Sequence, residues 1–179
     1  MTYGESLNIS DRIKMTEKLK ASVQDFDCGN EEINKYLKEK SFDDSSATTF
    51  IIKNNDDGSI ICYYTLCCSG LVINTNDGKL FSMYPAVEIK MFAVDENYQH
   101  MPYCDEPDTC NLSDMLLYDV IAHINDFTED ECGADKIILY SVPKAKKFYK
   151  DNLFNEFEEF MKPASSYFTD ACIPMFMNL

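Results

Sequence analysis

The sequence predicts an α/β chain, a mixed sheet with helices on its faces. Three observations carry this reading. The first half holds runs rich in β-branched and aromatic residues joined by Asn/Asp-Gly turns, the pattern of an antiparallel meander. The second half alternates short apolar runs with segments of helical period, the pattern of β-α-β-α-β. No Pro/Gly/Ser linker or internal repeat divides the chain, which is read as a single domain over residues 1–179.

The first helix follows Cys28-Gly29. Asn30 is its N-cap, Glu31 and Glu32 lie in the first turn where the helix dipole favours carboxylates, and Ile33, Tyr36 and Leu37 form an i, i+3, i+4 stripe. An ordinary amphipathic helix to about Ser41 is expected. Thr48–Lys53 and Ser59–Cys67 then read as strands across the turn Asn55-Asp56-Asp57-Gly58. Gly70–Asn74 and Lys79–Met83 read as a second pair across Thr75-Asn76-Asp77-Gly78. Ala86–Val94 is a longer strand, apolar on both faces apart from Glu88 and Lys90, which predicts a central position.

After an irregular stretch from Asn97 to Asn111, helical period returns from Ser113 to about Phe127 through Leu116, Leu117, Val120, Ile121 and Ile124. Lys136–Val142 reads as a buried strand, Lys144–Asp151 as a helix, and Cys172–Leu179 as a last strand.

Composition narrows the function classes. With 31 acidic against 16 basic residues, a net charge of -15, the chain is not built as a general nucleic-acid binder, because neutralised phosphates supply most non-specific affinity. The expected partner is therefore not a nucleic acid. No apolar run approaches a membrane span and the polar start lacks a signal peptide's apolar stretch, so the protein is expected to be cytoplasmic, with no membrane association. Eight cysteines in such a chain are expected as free thiols, and the lack of any C-x-x-C with only His100 and His123 argues against a metal site. Cys67 and Cys68 have no histidine nearby in sequence to activate them as nucleophiles.

Four stretches resemble the GNAT acetyltransferases. They are Phe26-Asp27-Cys28-Gly29-Asn30-Glu31-Glu32-Ile33-Asn34-Lys35-Tyr36-Leu37, Val87 to Gln99, Ala145-x-x-Phe148-Tyr149-x-x-x-x-Phe154, and Ile173-Pro174-Met175. The opening box is similar to the subgroup that includes toxins of toxin-antitoxin pairs. The resemblance implies a mostly antiparallel sheet with helices on both faces and a central strand pair that splays apart to admit the pantetheine arm of acetyl-CoA. It implies N-acetyl transfer to a primary amine by direct attack, with acetyl-CoA as co-substrate and no metal. Tyr149 matches the tyrosine that usually acts as general acid, and Glu88 the position where some relatives place a general base. Cofactor contacts are implied for Phe92, Ala93 and Val94 on the central strand, for Gln99, and for Leu112, Ser113 and Asp114 at the following helix start.

The chain also departs from the family pattern. A Q/R-x-x-G-x-G/A loop is usual after the central strand, whereas Gln99 is followed by a glycine-free stretch that carries Asp105, Glu106 and Asp108, with Pro102 and Pro107 lacking N–H donors. Lys146 and Lys147, in a lysine run with Lys144 and Lys150, are expected to supply the phosphate contacts instead; their plainer reading is a solvated helix face. Where the family commonly has Gly before the Phe that closes the Phe-Tyr helix, this chain has Leu153, so the turn is expected to use Asn152 or another geometry. Tyr149 read without the family is a core tyrosine, and Glu88 a partner of Lys90 on the same strand face. Two functions follow: an N-acetyltransferase acting on a small-molecule amine or a protein amino group, or a GNAT-fold binding module that has lost catalysis. The oligomeric state, a homodimer included, stays open.

Overall fold

Asn30 opens the first α-helix as expected: its side chain accepts the N–H of Glu32 and of Ile33. In the computed structural model, which describes residues 7–74, 81–103, 110–164 and 171–179, this helix, α1, spans only Glu31–Lys35. The expectation of one regular helix to Ser41 is corrected by a π-helical turn over Tyr36–Lys40. Its wider winding is closed by the Ser41 N–H donating to Tyr36 and by the Ser41 hydroxyl donating to Leu37. Both Tyr36 and Leu37 are buried.

The described strands form an eight-stranded, mostly antiparallel sheet. They are β1 (Ile13–Lys14), β2 (Thr48–Lys53), β3 (Ile60–Asn74), β4 (Phe81–Val94), β5 (Lys136–Ser141), β6 (Asn155–Glu156), β7 (Met161–Pro163) and β8 (Ile173–Asn178). Their order is β1-β2-β3-β4-β5-β8-β6, with β7 on β3. Two further helices are α2 (Leu112–Asp130) and α3 (Lys146–Asp151), the latter led in by a 3-10 turn at Pro143–Ala145. No helix among the described residues is long and apolar enough to cross a membrane.

The chain divides into two compact units: the residues up to Thr65 with Met91–Ile121, and Leu66–Lys90 with Ala122–Leu179. In the first, β1 pairs antiparallel with β2, and a 3-10 helix over Glu17–Val23 follows β1. Phe26 and Tyr63 meet edge to face at 5.3 Å within a core that includes Val23, Leu37 and Ile51. The Tyr63 hydroxyl donates to the Ile33 carbonyl, so this buried aromatic leaves no polar debt. Gly58, at φ 76°, turns the chain between β2 and β3 as the sequence predicts.

In the second unit β4 runs parallel to β5, with Ala86 opposite Lys136 and Ile89 opposite Leu139. The ladder runs over these four registers, and β4 itself continues to Val94 and β5 to Ser141. β8 pairs antiparallel with β5 along its length and with β6, and β7 pairs with β3.

β3 and β4 correct the sequence reading, which split each of them in two. Gly70 does not interrupt β3: it lies inside the strand, and its carbonyl accepts the Ala164 N–H at 2.7 Å. Pro85 lies inside β4, its carbonyl accepting the Asp135 N–H at 3.0 Å. The expected turn at Thr75–Gly78, and Lys79, lie outside the described residues. β1, β6 and β7 are too short to show a period, and the sequence gives no sign of them.

Candidate functional site

Tyr149 is 8% exposed on α3, flanked edge to face by Phe148 at 5.1 Å and by Phe154 at 5.7 Å. The helix ends in a Schellman turn just past it. The Phe154 N–H donates to Tyr149 and the Leu153 N–H to Lys150. Leu153, not Asn152, takes the left-handed position, at φ 68°. Asn152 is buried and locks the same turn differently, its Nδ2 donating to the Phe148 carbonyl at 2.9 Å. The Tyr149–Phe154 contact is the apolar pair that accompanies such turns.

Glu88 lies in the paired part of β4, opposite Ile138 of β5, and is 9% exposed. Burial pushes its carboxyl above the ordinary value, opposed by the Ser69 hydroxyl and the Lys90 ammonium. Burial is the largest influence and decides the direction; among the described residues Ser69 Oγ makes no hydrogen bond.

The lysine run is already engaged. Lys146 and Lys150 reach Glu156 at 2.9 and 2.6 Å, and Lys147 pairs with Asp151 one turn on. The Lys146 and Lys150 contacts hold the Glu156 carboxyl below its ordinary value. β6 places Glu156 through its register with Met175.

In the first unit the Phe26–Asn34 box is a clasp. The Asp27 carboxylate accepts from Gly29 N–H at 2.8 Å and from Asn34 Nδ2 at 2.7 Å, and the Cys28 N–H donates back to Asn34 Oδ1. Those donors, Gly29 first and Asn34 second, keep the Asp27 carboxyl below its ordinary value. Gly29 sits at φ 75°, where a side chain is strained. The clasp grips the end of β4: Asp27 N–H donates to the buried Asp95 carboxylate, Glu96 N–H to the Asp27 carbonyl, and Gln99 Nε2 to the carbonyls of Cys28 and Val94. Gln99 is thus a tie between main-chain carbonyls. Of the strand residues beside it, Ala93 and Val94 are buried and Phe92 half-buried.

The start of α2 is closed by its own residues. Asn111 N–H donates to the Asp114 carboxylate at 3.1 Å, while Leu112 N–H donates to the Met101 carbonyl at 2.8 Å. Leu112 is buried; Ser113 and Asp114 are half-buried. The bridge between Pro102 and Asn111 and the bond from Tyr103 N–H to Cys110 staple the stem leading in; Cys104–Thr109 lie outside the described residues. A cavity of about 530 Å³ opens in the same unit beside Arg12, Ile52, Tyr103, Leu116 and Asp119, lined by none of the expected site residues.

The expected residues therefore fall into two sets. Glu88, Lys146, Lys147 and Tyr149 belong to one compact unit, and Phe92, Ala93, Val94, Gln99, Leu112, Ser113 and Asp114 to the other. Sequence reasoning named Asn152 for the turn but not the hydrogen bond by which its side chain locks it, and it missed Glu156. For Asn152 a signal was present: Asn at a helix end with aromatic residues on either side at the Schellman spacing.

Solved structures share this fold. A bacterial toxin superposes with a TM-score of 0.73 at 19% identity, over 96% of this chain and 91% of that one. A tyrosine-to-phenylalanine mutant of the AtaT toxin gives 0.70 at 16% identity, over 99% and 94%. AtaT complexed with acetyl-methionyl-tRNAfMet gives 0.65 at 17% identity, over 93% of each chain. No family model and no curated protein matches the sequence. The likeness of this chain to these toxins is one of fold.

Proposed function

We propose that the chain is an acetyl-CoA-dependent N-acetyltransferase that acts on a primary amine by direct attack. The observation that carries the reading is Tyr149, buried between two rings on a helix whose end is locked by Asn152 and a Schellman turn. It stands in a fold whose solved neighbours include AtaT with acetyl-CoA and tyrosine-to-phenylalanine mutants of AtaT and KacT. In the reaction the amine nitrogen bonds to the thioester carbonyl carbon and the carbon–sulfur bond breaks. The amine loses a proton to Glu88, whose raised carboxyl suits a base near neutral pH, and the departing thiolate takes one from Tyr149.

Acetyl-CoA binds as co-substrate. Main-chain groups of Phe92, Ala93 and Val94 serve the pantetheine arm. At the start of α2 the Leu112 N–H and the Asp114 carboxylate are occupied, so Ser113 and its turn are a poor seat for the pyrophosphate. Lys146 and Lys147 are the better phosphate ligands, since exposed ion pairs are worth about 0–1 kcal/mol and exchange readily for a phosphate. The acceptor is a small amine, a protein amino group or an aminoacyl-tRNA. The net charge of -15 opposes the last, yet a solved neighbour is complexed with an acetylated aminoacyl-tRNA and another, KacTA, with DNA, so charge alone does not remove it.

Tyr149→Phe tests the reading, because it removes only the transferable proton. Acetyl transfer should fall on the order of 10²-fold with acetyl-CoA affinity unchanged. Matching denaturation midpoints exclude a packing defect. Equal turnover by the mutant would move the proton donor elsewhere. The capped start of α2 favours one rival, a GNAT-fold binding module without turnover. That rival prevails if acetyl-CoA leaves the melting temperature of the wild type unmoved, since any ligand of the folded state raises it.

A further inference from the structure

Lys146 and Lys150 stand one turn apart on α3, the spacing that puts two side chains on one helix face. Their ammonium groups converge on a single carboxylate: Lys146 Nζ lies 2.9 Å from Glu156 Oε2, and Lys150 Nζ lies 2.6 Å from Glu156 Oε1. Lys147, one residue further round the helix, pairs instead with Asp151. The turn at Asn152–Phe154 brings Glu156 back beside the helix, and main-chain bonds hold it there: β6 sets Glu156 opposite Met175 of β8, and the Phe157 N–H donates to the Pro174 carbonyl. The backbone at Glu156 thus has its own support, independent of the two ion pairs. Pairs as exposed as these add little stability, so a purely structural staple is a weak account of them.

We propose that Lys146 and Lys150 form a two-pronged seat for a phosphate group of acetyl-CoA, and that Glu156 is its resident anion, which the phosphate displaces. This rests on the reading of the chain as an acetyl-CoA enzyme. A phosphate offers what the carboxylate offers, separate oxygens for two ammonium donors, and carries more charge. The start of α2 is a poor alternative, since the Leu112 N–H is taken by Met101 and the Asn111 N–H by Asp114. The second prong is Lys150, which shares a carboxylate with Lys146, while Lys147 lends charge from the flank. Glu156 acts in two opposite ways. It holds the two ammonium groups together while the seat is empty, and it competes with whatever anion arrives. The contact with Lys146, and next that with Lys150, keeps its carboxyl below the ordinary value, so it competes as a charged group at neutral pH.

Removing that charge leaves the seat to the phosphate alone. Glu156→Gln keeps the shape of the side chain and should bind CoA roughly 5-fold more tightly, the upper scale of one exposed ion pair. Lys146→Gln and Lys150→Gln should each weaken CoA by a similar factor, and Lys147→Gln by less. In the double variant Lys150→Gln with Glu156→Gln the gain should disappear, because one prong of the seat is gone. The gain should also shrink as salt rises, since both lysines are open to solvent. A carboxylate that only staples β6 to α3 behaves differently: its loss lowers the denaturation midpoint and leaves CoA affinity where it was.

The test is isothermal titration of wild type, Glu156→Gln, Lys150→Gln and the double variant with CoA and with 3′-dephospho-CoA, beside their denaturation midpoints; it needs no turnover. Glu156→Ala replaces Glu156→Gln if the latter does not fold. Tighter CoA binding in Glu156→Gln, lost in the double variant, supports the proposal. The second ligand then tells which phosphate is seated: a gain kept with 3′-dephospho-CoA supports the seat as one for the pyrophosphate, and a gain seen with CoA alone as one for the 3′-phosphate. Equal CoA affinity in wild type and Glu156→Gln overturns the proposal, whatever Tyr149 does in catalysis. Absence of CoA binding in wild type and in every variant is a different failure: it ends the acetyl-CoA reading, and with it the seat.

Discussion

The Phe26–Asn34 clasp and the Tyr149–Phe154 turn each finish an α-helix, one at its N-terminus and one at its C-terminus, and they hold their shape by opposite means. In the clasp every polar group named has an internal partner, and the left-handed position is given to Gly29. In the turn the left-handed position falls to Leu153, whose side chain is 72% exposed. A leucine there costs about 1–2 kcal/mol and its side chain recovers little by burial. The turn survives because Asn152, two main-chain bonds and the Tyr149–Phe154 contact over-determine it. The clasp shows how a residue box can look specific because its geometry is self-consistent. The turn keeps its strain beside the residue proposed to carry the chemistry.

Breaking the clasp should produce the largest effect. Asp95 is 6% exposed and accepts from Asp27 N–H, Asn97 N–H and Asn97 Nδ2. Asp95→Ala should cost about 3 kcal/mol, the upper range for a hydrogen bond to a charge, read as a lower urea midpoint at constant m. A loss below a few tenths would show that the clasp is decorative. Gly29→Ala comes next, at about 1–2 kcal/mol from the positive φ alone. The added Cβ would also press on the Glu96 carboxylate, but that side chain is exposed and can swing clear.

The turn should answer with the opposite sign. Leu153→Gly should stabilise the protein by about 1 kcal/mol, seen as a rise in melting temperature, because glycine takes that φ without strain. A neutral or destabilising result would mean that the leucine side chain makes a contact worth its strain, and the contrast between the two regions would narrow.

Much of the fold was legible where local and tertiary demands agree. Asn30 as N-cap, β2 at Thr48–Lys53 and the turn at Gly58 all follow from side-chain chemistry over a few residues. Gly70 and Pro85 misled because each lies within a strand and offers its carbonyl to a residue distant in sequence, Ala164 in one case and Asp135 in the other. The π-turn at Tyr36–Lys40 could not be read from an apolar stripe that fits either winding. At the site, Tyr149 and Glu88 were marked by a family resemblance and by a charge in an apolar strand. Glu156 was not, since what matters about it is its pairing with Lys146 and Lys150 from a strand of only two residues.

The stapled stem from Met101 to Leu112 has a consequence for how this chain can be rewritten. Its bonds fix the separation of Tyr103 and Cys110 and tie Leu112 to Met101, so the start of α2 is held from outside the connection between Tyr103 and Cys110. Lengthening that connection then costs only the logarithm of its size, about 0.6 kcal/mol for each doubling. The stem is a ready graft point, where an inserted peptide or tag can be carried while the helix beyond it keeps its cap.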